Sequence, residues 1–501
     1  MITALTVLVA LGILGWGFYR AKPYGKLGIL SWLQSVTLMA PWLLFFGLFS
    51  VGVYLNLVGM LLLFVISTGG YILLGRQIRA IAPEELAKRA EEIAKARAAA
   101  SETSSTSDQA ADQDAEAATK TPFPAAAIPQ LQPISTEDLT AIKGIFGIDT
   151  FFATETIPFQ DGAVFNGNLR GDGEKVHAKL SELLQERLGD RYRLFLVENQ
   201  EGRPTVVVLP SSNDPKPLNL TQKILAVILF VATIGTTLEM AGLLQGFDFY
   251  SAPQRYTEVV PLAAGLFTIL TAHELGHWVM AKRHHVKLSW PFFFPTWQIG
   301  SFGALTNFES LLPNRSALFD IAFAGPAAGG LLSLGMLITG LTLSHPGSPF
   351  KVPTSFFEGS MLVGTLTRVI LGSEVQQDFI EVSPLVVLGW LGLVITAINL
   401  MPAGRLDGGR IVQAIYGRKV ATRTTVVTVV FLGLAALVNP LALYWAIVIL
   451  FLQRNLERPS LNELPEPDDT RAALGLLALF LMITVLLPLT PSLAGRLGFS
   501  V

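Results

Sequence analysis

The chain alternates between long apolar runs and short polar breaks. A run of about 20 apolar residues is what a helix needs to cross the hydrocarbon core of a bilayer. Ten segments have that character: Ile2–Tyr19, Gly28–Phe49, Val51–Leu74, Ile224–Leu244, Val259–Ala281, Ala317–Leu343, Pro384–Met401, Thr425–Val438, Leu441–Leu452 and Ala472–Leu489. The eighth and ninth are short and meet at Asn439-Pro440, so they could form one broken hairpin. The pattern predicts an α-helical polytopic membrane protein of about 8–10 transmembrane helices.

One long stretch departs from this pattern. Pro83 opens a charged helix with Glu84–Lys88, Glu85–Arg89 and Glu91–Lys95 four residues apart. It is polar all round and reads as a solvated stalk. Residues about 98–135 are rich in Ala, Ser, Thr, Asp and Gln, the composition of a flexible linker. From about 136 the pattern becomes globular. Ser135-Thr136-Glu137-Asp138 is a capping signature, and Val176–Leu188 is an amphipathic helix. Arg193–Glu198 and Thr205–Leu209 read as strands around a turn at Gln200-Glu201-Gly202. The expected organisation is N-terminal transmembrane helices over 1–75, charged helix and linker over 76–135, a small soluble α+β domain over 136–220, and a second membrane domain over 221–501.

Composition sharpens the picture. Only 15% of the 501 residues are charged, against about 25% in soluble domains. The formal charge of −2 and the lack of a basic tract exclude a nucleic-acid partner. With no cysteine there is no disulfide framework, thiolate zinc site, iron–sulfur cluster or cysteine nucleophile. Any metal must be held by His, Asp or Glu. The basic residues of the short loops, among them Lys26, Arg79, Lys282, Arg283, Arg405, Arg410 and Arg458, fall on one side under a ten-span count. The positive-inside rule makes that side cytoplasmic and puts residues 75–221 there. No Ser/Arg-rich transit peptide precedes the first span, which points to a bacterial chain or a mature form rather than a plastid precursor.

The sharpest chemical feature is His273-Glu274-Leu275-Gly276-His277, inside the apolar segment Val259–Ala281. Residues i and i+4 share one helix face, so both imidazoles can reach one metal ion, and Glu274 can take a proton from a water the metal activates. Ionisable groups at membrane depth are costly and default to function. A catalytic zinc site needs a third protein ligand. His284 and His285 follow Lys282 and Arg283 and belong to the interface. Asp407 is the better candidate: Pro402 and Gly404 break the seventh span and let a carboxylate turn back toward the bundle.

His-Glu-x-x-His followed by Asn399-Leu400-Met401-Pro402 and Leu406-Asp407-Gly408 resembles the site-2 protease family of intramembrane metalloproteases. Phe323–Gly330 is similar to the small-residue motif of that family's middle helix. Gly167-Asn168-Leu169-Arg170 resembles the signature of its plant and cyanobacterial subgroup, the gravitropism-deficient, yellow-green type. The resemblance implies an intramembrane zinc endopeptidase over 221–501, acting in regulated intramembrane proteolysis. In it His273, His277 and Asp407 bind Zn²⁺, Glu274 is the general base, and membrane-anchored proteins are the substrates. It also implies a cyanobacterial plasma or thylakoid membrane. Asn399 then contacts substrate, orients Asp407, or caps its helix. Between Ser289 and Asn307 the chain reads as a re-entrant, strand-like loop, whose Gly300 and Gly303 are candidates for holding an extended substrate or the oxyanion. Two other readings use the same residues: a catalytically inactive scaffold or chaperone that keeps the metal site, and an ion transporter, against which no clear inverted repeat is visible. Nothing in the sequence sets the oligomeric state.

Overall fold

The computed structural model describes residues 134–436, apart from 160, 200 and 298, and residues 455–498. It also describes the helix 25–50 and scattered positions within 15–78 and 442–449. The charged stalk, nearly all of the linker, and most of the first, third and ninth expected spans lie outside the described residues. The chain divides into a unit of residues 1–127 and a unit of residues 128–501.

In the first unit, helix α1 (Gly25–Ser50) coincides with the second expected span. Two of its hydroxyls bond within the helix, Ser35 Oγ to Ser31 O at 3.1 Å and Thr37 Oγ1 to Leu33 O at 2.8 Å, which satisfies them without an outside partner.

The second unit begins with the soluble domain. Helix α2 (Thr136–Lys143) is capped by Ser135, whose Oγ accepts from Asp138 N. Strands β1 (Phe151–Phe159) and β2 (Gly162–Leu169) follow, then α3 (Gly173–Leu188), β3 (Tyr192–Glu198) and β4 (Pro204–Pro210). The sheet is antiparallel with order β1-β2-β4-β3. Val176, Leu180, Leu184 and Leu188 recur every four residues along α3, and this buried stripe joins Phe151, Phe165, Leu196 and Val206 in the domain core. Sequence pattern found α2, α3, β3 and β4. It missed β1 and β2, where Pro158, Gly162 and Gly167 interrupt the strand signal.

The membrane domain contains α4 (Leu220–Leu244), α5 (Tyr256–Arg283), a hairpin of β5 (Phe292–Thr296) and β6 (Gly300–Leu305), and α6 (Arg315–Leu343). Strand β7 (Phe350–Pro353), α7 (Met361–Leu371), β8 (Phe379–Val382), α8 (Pro384–Asn399), α9 (Asp407–Ala435) and α10 (Asp469–Leu486) follow. Among the described residues α4, α5, α6 and α10 are long and apolar enough to cross a membrane, and α8 is a shorter apolar helix of 16 residues. Helix α6 packs against α5, α8 and α9. The strand-like segment expected after the His-Glu-x-x-His helix is present as the β5–β6 hairpin.

Two features differ from the sequence reading. The described part of the expected span Thr425–Val438 falls at the end of α9, which starts at Asp407 and turns at Gly417, where φ is 78°. Asp407, expected past the break in the seventh span, is therefore the first residue of a helix. The connection 344–383, left without elements, holds α7 and the β7–β8 pair.

Residues 457–463 form a strap beside the soluble domain. Leu196 N donates to Leu461 O at 2.8 Å, and Glu463 N donates to Leu196 O at 2.9 Å, so the strap extends the sheet at its β3 edge. On its other side Leu461 N bonds Leu312 O at 2.9 Å.

Candidate active site

Helix α5 buries a stripe that runs Val259, Leu262, Leu266, Leu270, His273, His277, Ala281. The two imidazoles thus occupy core positions of an otherwise apolar face, 6% and 5% exposed. His277 Nδ1 lies 2.7 Å from the Ile321 carbonyl of α6, which fixes Nδ1 as the protonated nitrogen and leaves Nε2 free as an acceptor. Helix α6 can approach this closely because of its glycines. A Cβ on Gly325 would lie 2.2 Å from His277 Nε2, and one on Gly329 would lie 3.1 Å from His273 Cβ.

The third group arrives where α8 ends and α9 begins. Met401–Leu406 folds back through short turns, and a Cβ on Gly408 would stand 1.8 Å from the Leu400 carbonyl. Only glycine lets α9 start against that turn, and the start delivers Asp407, 7% exposed, to the histidines. Asp407 Oδ2 is 3.2 Å from His273 Nε2 and 3.4 Å from His277 Nε2, and the two Nε2 atoms are 3.1 Å apart. A tetrahedral zinc with bonds of about 2.0–2.1 Å has ligand–ligand edges of about 3.3 Å. The three atoms fit that triangle, and their chemistry, two neutral nitrogens and one carboxylate oxygen, suits zinc.

Glu274 belongs to the same cluster: its carboxylate and the two imidazoles offer ligand atoms within 4.8 Å of one another. Its Oε2 accepts from Thr306 Oγ1 at 2.8 Å, just past β6. That bond ties the carboxylate to the hairpin side, whereas Asp407 Oδ2 stands within 3.4 Å of both rings.

The remaining sequence candidates sit nearby with other contacts. Asn399 Nδ2 donates to Ile395 O at 2.9 Å and to Phe302 O at 3.2 Å, so its amide ties the end of α8 to β6. Gly303 has φ 100°, and a Cβ there would lie 2.7 Å from Asn399 Nδ2. The Gly300 carbonyl accepts from Thr236 Oγ1 of α4 at 2.6 Å. His284 stands apart, 2.9 Å from Asp320 Oδ2. Sequence reasoning missed Thr306, the Ile321 carbonyl, Arg410 and Glu457. Arg410 Nη1 lies 3.9 Å from Asp407 Oδ1, and its Nη2 lies 3.0 Å from Glu457 Oε2. Of these only Arg410 carried a signal, a charged side chain three residues past Asp407.

The family model described as Peptidase family M50 matches residues 261–439, the stretch that carries all four groups. One described as EGY3 middle domain matches residues 140–216, within the soluble domain. The chain is 39% identical over 400 residues to a protein named "Probable zinc metalloprotease EGY1, chloroplastic" from Arabidopsis thaliana, covering 72% of this chain and 73% of the relative. The Oryza sativa japonica protein of the same name is 36% identical over 404 residues, covering 73% and 70%. A second Arabidopsis relative, "Probable zinc metalloprotease EGY2, chloroplastic", is 38% identical over 371 residues, covering 72% and 66%. No solved structure matches the chain. With the family model spanning the His-Glu-x-x-His helix and the aspartate, and relatives matched along most of their length, the chain belongs to peptidase family M50, the site-2 protease family of membrane metallopeptidases.

Proposed function

We infer that the chain is a zinc-dependent endopeptidase that hydrolyses peptide bonds in or near the transmembrane segments of membrane-anchored proteins. The observation that carries this reading is the convergence of His273, His277 and Asp407 within 3.1–3.4 Å of one another, with Glu274 beside them in an apolar helix.

In the proposed site His273, His277 and Asp407 hold zinc, which supplies a Lewis acid and an activated water. Glu274 takes the water's proton on its carboxylate and returns it to the leaving amine. Thr306 holds Glu274 Oε2 while this happens, which leaves the other oxygen to take the proton. His277 keeps one tautomer through Ile321 O. Asn399, Gly300 and Gly303 serve by seating β6 against α8 and α4, which sets the strand's distance from α5. A helical substrate hides its carbonyls in hydrogen bonds and must be unwound before attack. The hairpin is the extended surface beside the catalytic helix on which an unwound segment would lie.

Residues 136–220 form the soluble domain and 221–501 the protease domain in this reading. The loop charges favour a cytoplasmic soluble domain, in the plasma or thylakoid membrane of a cyanobacterium-like cell.

The test is Glu274→Gln, which keeps the shape of the side chain and removes the base. The variant should bind one zinc, as measured by elemental analysis, and accumulate uncut membrane proteins, identified by proteomics of membrane fragments. Cleavage that survives the substitution overturns the mechanism. An unchanged fragment profile would favour the scaffold.

A further inference from the structure

A continuous line of buried polar contacts joins the zinc-site residues to the soluble domain. We propose that Arg410 is a positioning residue for Asp407 and Thr306, set in place by Glu457 on the strap and, through the strap, by strand β3. The inference rests on the ligand assignment above.

Arg410 stands three residues beyond Asp407 on α9 and is 6% exposed. Asp407 turns Oδ2 to the imidazoles, and Arg410 faces the other oxygen, Oδ1, at 3.9 Å. The same guanidinium donates from Nη2 to the Thr306 carbonyl at 2.8 Å, and Thr306 holds Glu274 through its hydroxyl. One cation therefore adjoins both the third ligand and the residue that orients the base. The ring of Phe308 lies 4.8 Å from its carbon, completing the enclosure.

A buried guanidinium needs a partner, because an unpaired charge there costs several kcal/mol. Glu457, 7% exposed, supplies it: Oε2 accepts from Nη2 at 3.0 Å and from Nε at 3.2 Å. Glu457 is itself fixed by its backbone. Its N–H donates to Gln413 Oε1 at 3.0 Å, and its carbonyl accepts from Gln413 Nε2 at 3.2 Å. Four residues on, Leu461 and Glu463 bracket Leu196 on the edge of the soluble sheet. Asn462, 3% exposed, reaches the soluble domain again through Gly173 O at 3.3 Å. The side chain that anchors Arg410 and the backbone that extends β3 thus share one short strap, and moving the soluble domain moves the anchor.

The planar fork of arginine serves Glu457, Thr306 and Asp407 at once, which lysine cannot do. Outer-shell partners of a metal ligand alter affinity by about 10- to 100-fold when removed. The test uses the full chain in detergent, with zinc alone as the probe in competition with a chromogenic chelator, and the visible spectrum of the cobalt-substituted protein as the signature of ligand geometry. Arg410→Gln should weaken zinc by about 10- to 100-fold and shift the cobalt bands. Arg410→Lys should recover part of both, and Glu457→Gln should move both in the same direction by less. Glu463→Pro removes the N–H that bonds Leu196 O; it should weaken zinc more than Glu463→Ala, which keeps that N–H and loses only the 3.9 Å contact with Arg418. Zinc affinity within about twofold of wild type and an unshifted spectrum in Arg410→Gln overturn the proposal. If Arg410→Gln fails to fold, Arg410→Lys and Glu457→Gln decide it by the same two readouts. Equal affinities for Glu463→Pro and Glu463→Ala overturn the link to the soluble domain. Asp407→Ala separates this from the reading beneath it: unchanged zinc binding there would remove Asp407 as a ligand, whereas its loss beside a normal Arg410→Gln removes only the positioning role.

Discussion

Gly325 and Thr306 each act on the site through one atom. Gly325 does so by an absence: a methyl there would lie 2.2 Å from His277 Nε2, and that ring cannot swing away while Nδ1 is held by Ile321 O. Gly325→Ala should leave the helices formed and lower zinc affinity by about 10- to 100-fold, read by chelator competition beside circular dichroism. Thr306 does so by a hydroxyl. A hydrogen bond to a charged group is worth about 1.5–3 kcal/mol, so Thr306→Val should lower kcat by about 10- to 100-fold with little change in KM. Thr306→Ser keeps the donor and should restore most of the rate. If Val and Ser variants behave alike in single-turnover cleavage, Thr306 does not orient Glu274.

Helix α3 and strand β3 meet at His177, whose Nε2 is 3.2 Å from the Leu194 carbonyl. Burial pulls its pKa below the ordinary histidine value, although the Leu194 bond pulls the other way. The unfolded state therefore binds the proton more readily than the folded one. The stability His177 contributes is present above about pH 6.5 and drains away as the pH falls below it, until the folded value is passed. Hydrogen exchange of β3 amides, corrected for intrinsic rates, should quicken between pH 7 and pH 5, and His177→Gln should flatten that change. α3 was readable in the sequence because its buried residues repeat locally, as was the His-Glu-x-x-His pair, one turn apart on a helix. β1 and β2 were not, because Gly, Asn and Pro weaken a signal that cross-strand packing restores. The start of α9 was hidden for a related reason: Gly408-Gly409 reads as a turn, but the glycines are there to clear the Leu400 and Gly404 carbonyls. Thr306 and Glu457 were illegible because they reach Glu274 and Arg410 across 32 and 47 residues of chain.

At the scale of the whole second unit, counting crossings fixes which loops share a side. The soluble domain leads into α4, and α4 and α5 together return the chain to the side it left. The contacts agree: Leu218 N bonds Glu309 Oε1 at 2.9 Å, and Arg458 Nη1 bonds Asn213 O at 2.7 Å. At the other end of α6, the connection 344–383 receives the end of α10, with Met361 N on Leu487 O at 2.8 Å and Leu489 N on Glu358 O at 2.8 Å. His277 lies about 9 Å from the end of α5 at 1.5 Å per residue, so the zinc-site residues sit toward the soluble domain's side. The chain has no cysteine, so a single introduced thiol reports without background. Glu182→Cys in the soluble domain and Lys287→Cys after α5 should react with a membrane-impermeant maleimide only once the cells are opened. With the chain in the plasma membrane Gln376→Cys should react in intact cells, and in a thylakoid membrane only once the thylakoids themselves are opened. Labelling of Glu182→Cys and Lys287→Cys from opposite sides would break the two-crossing path through α4 and α5. Labelling of both in intact cells would keep that path and reverse its orientation, against the basic residues Lys282, Arg283 and Arg405 that the positive-inside rule holds in the cytoplasm.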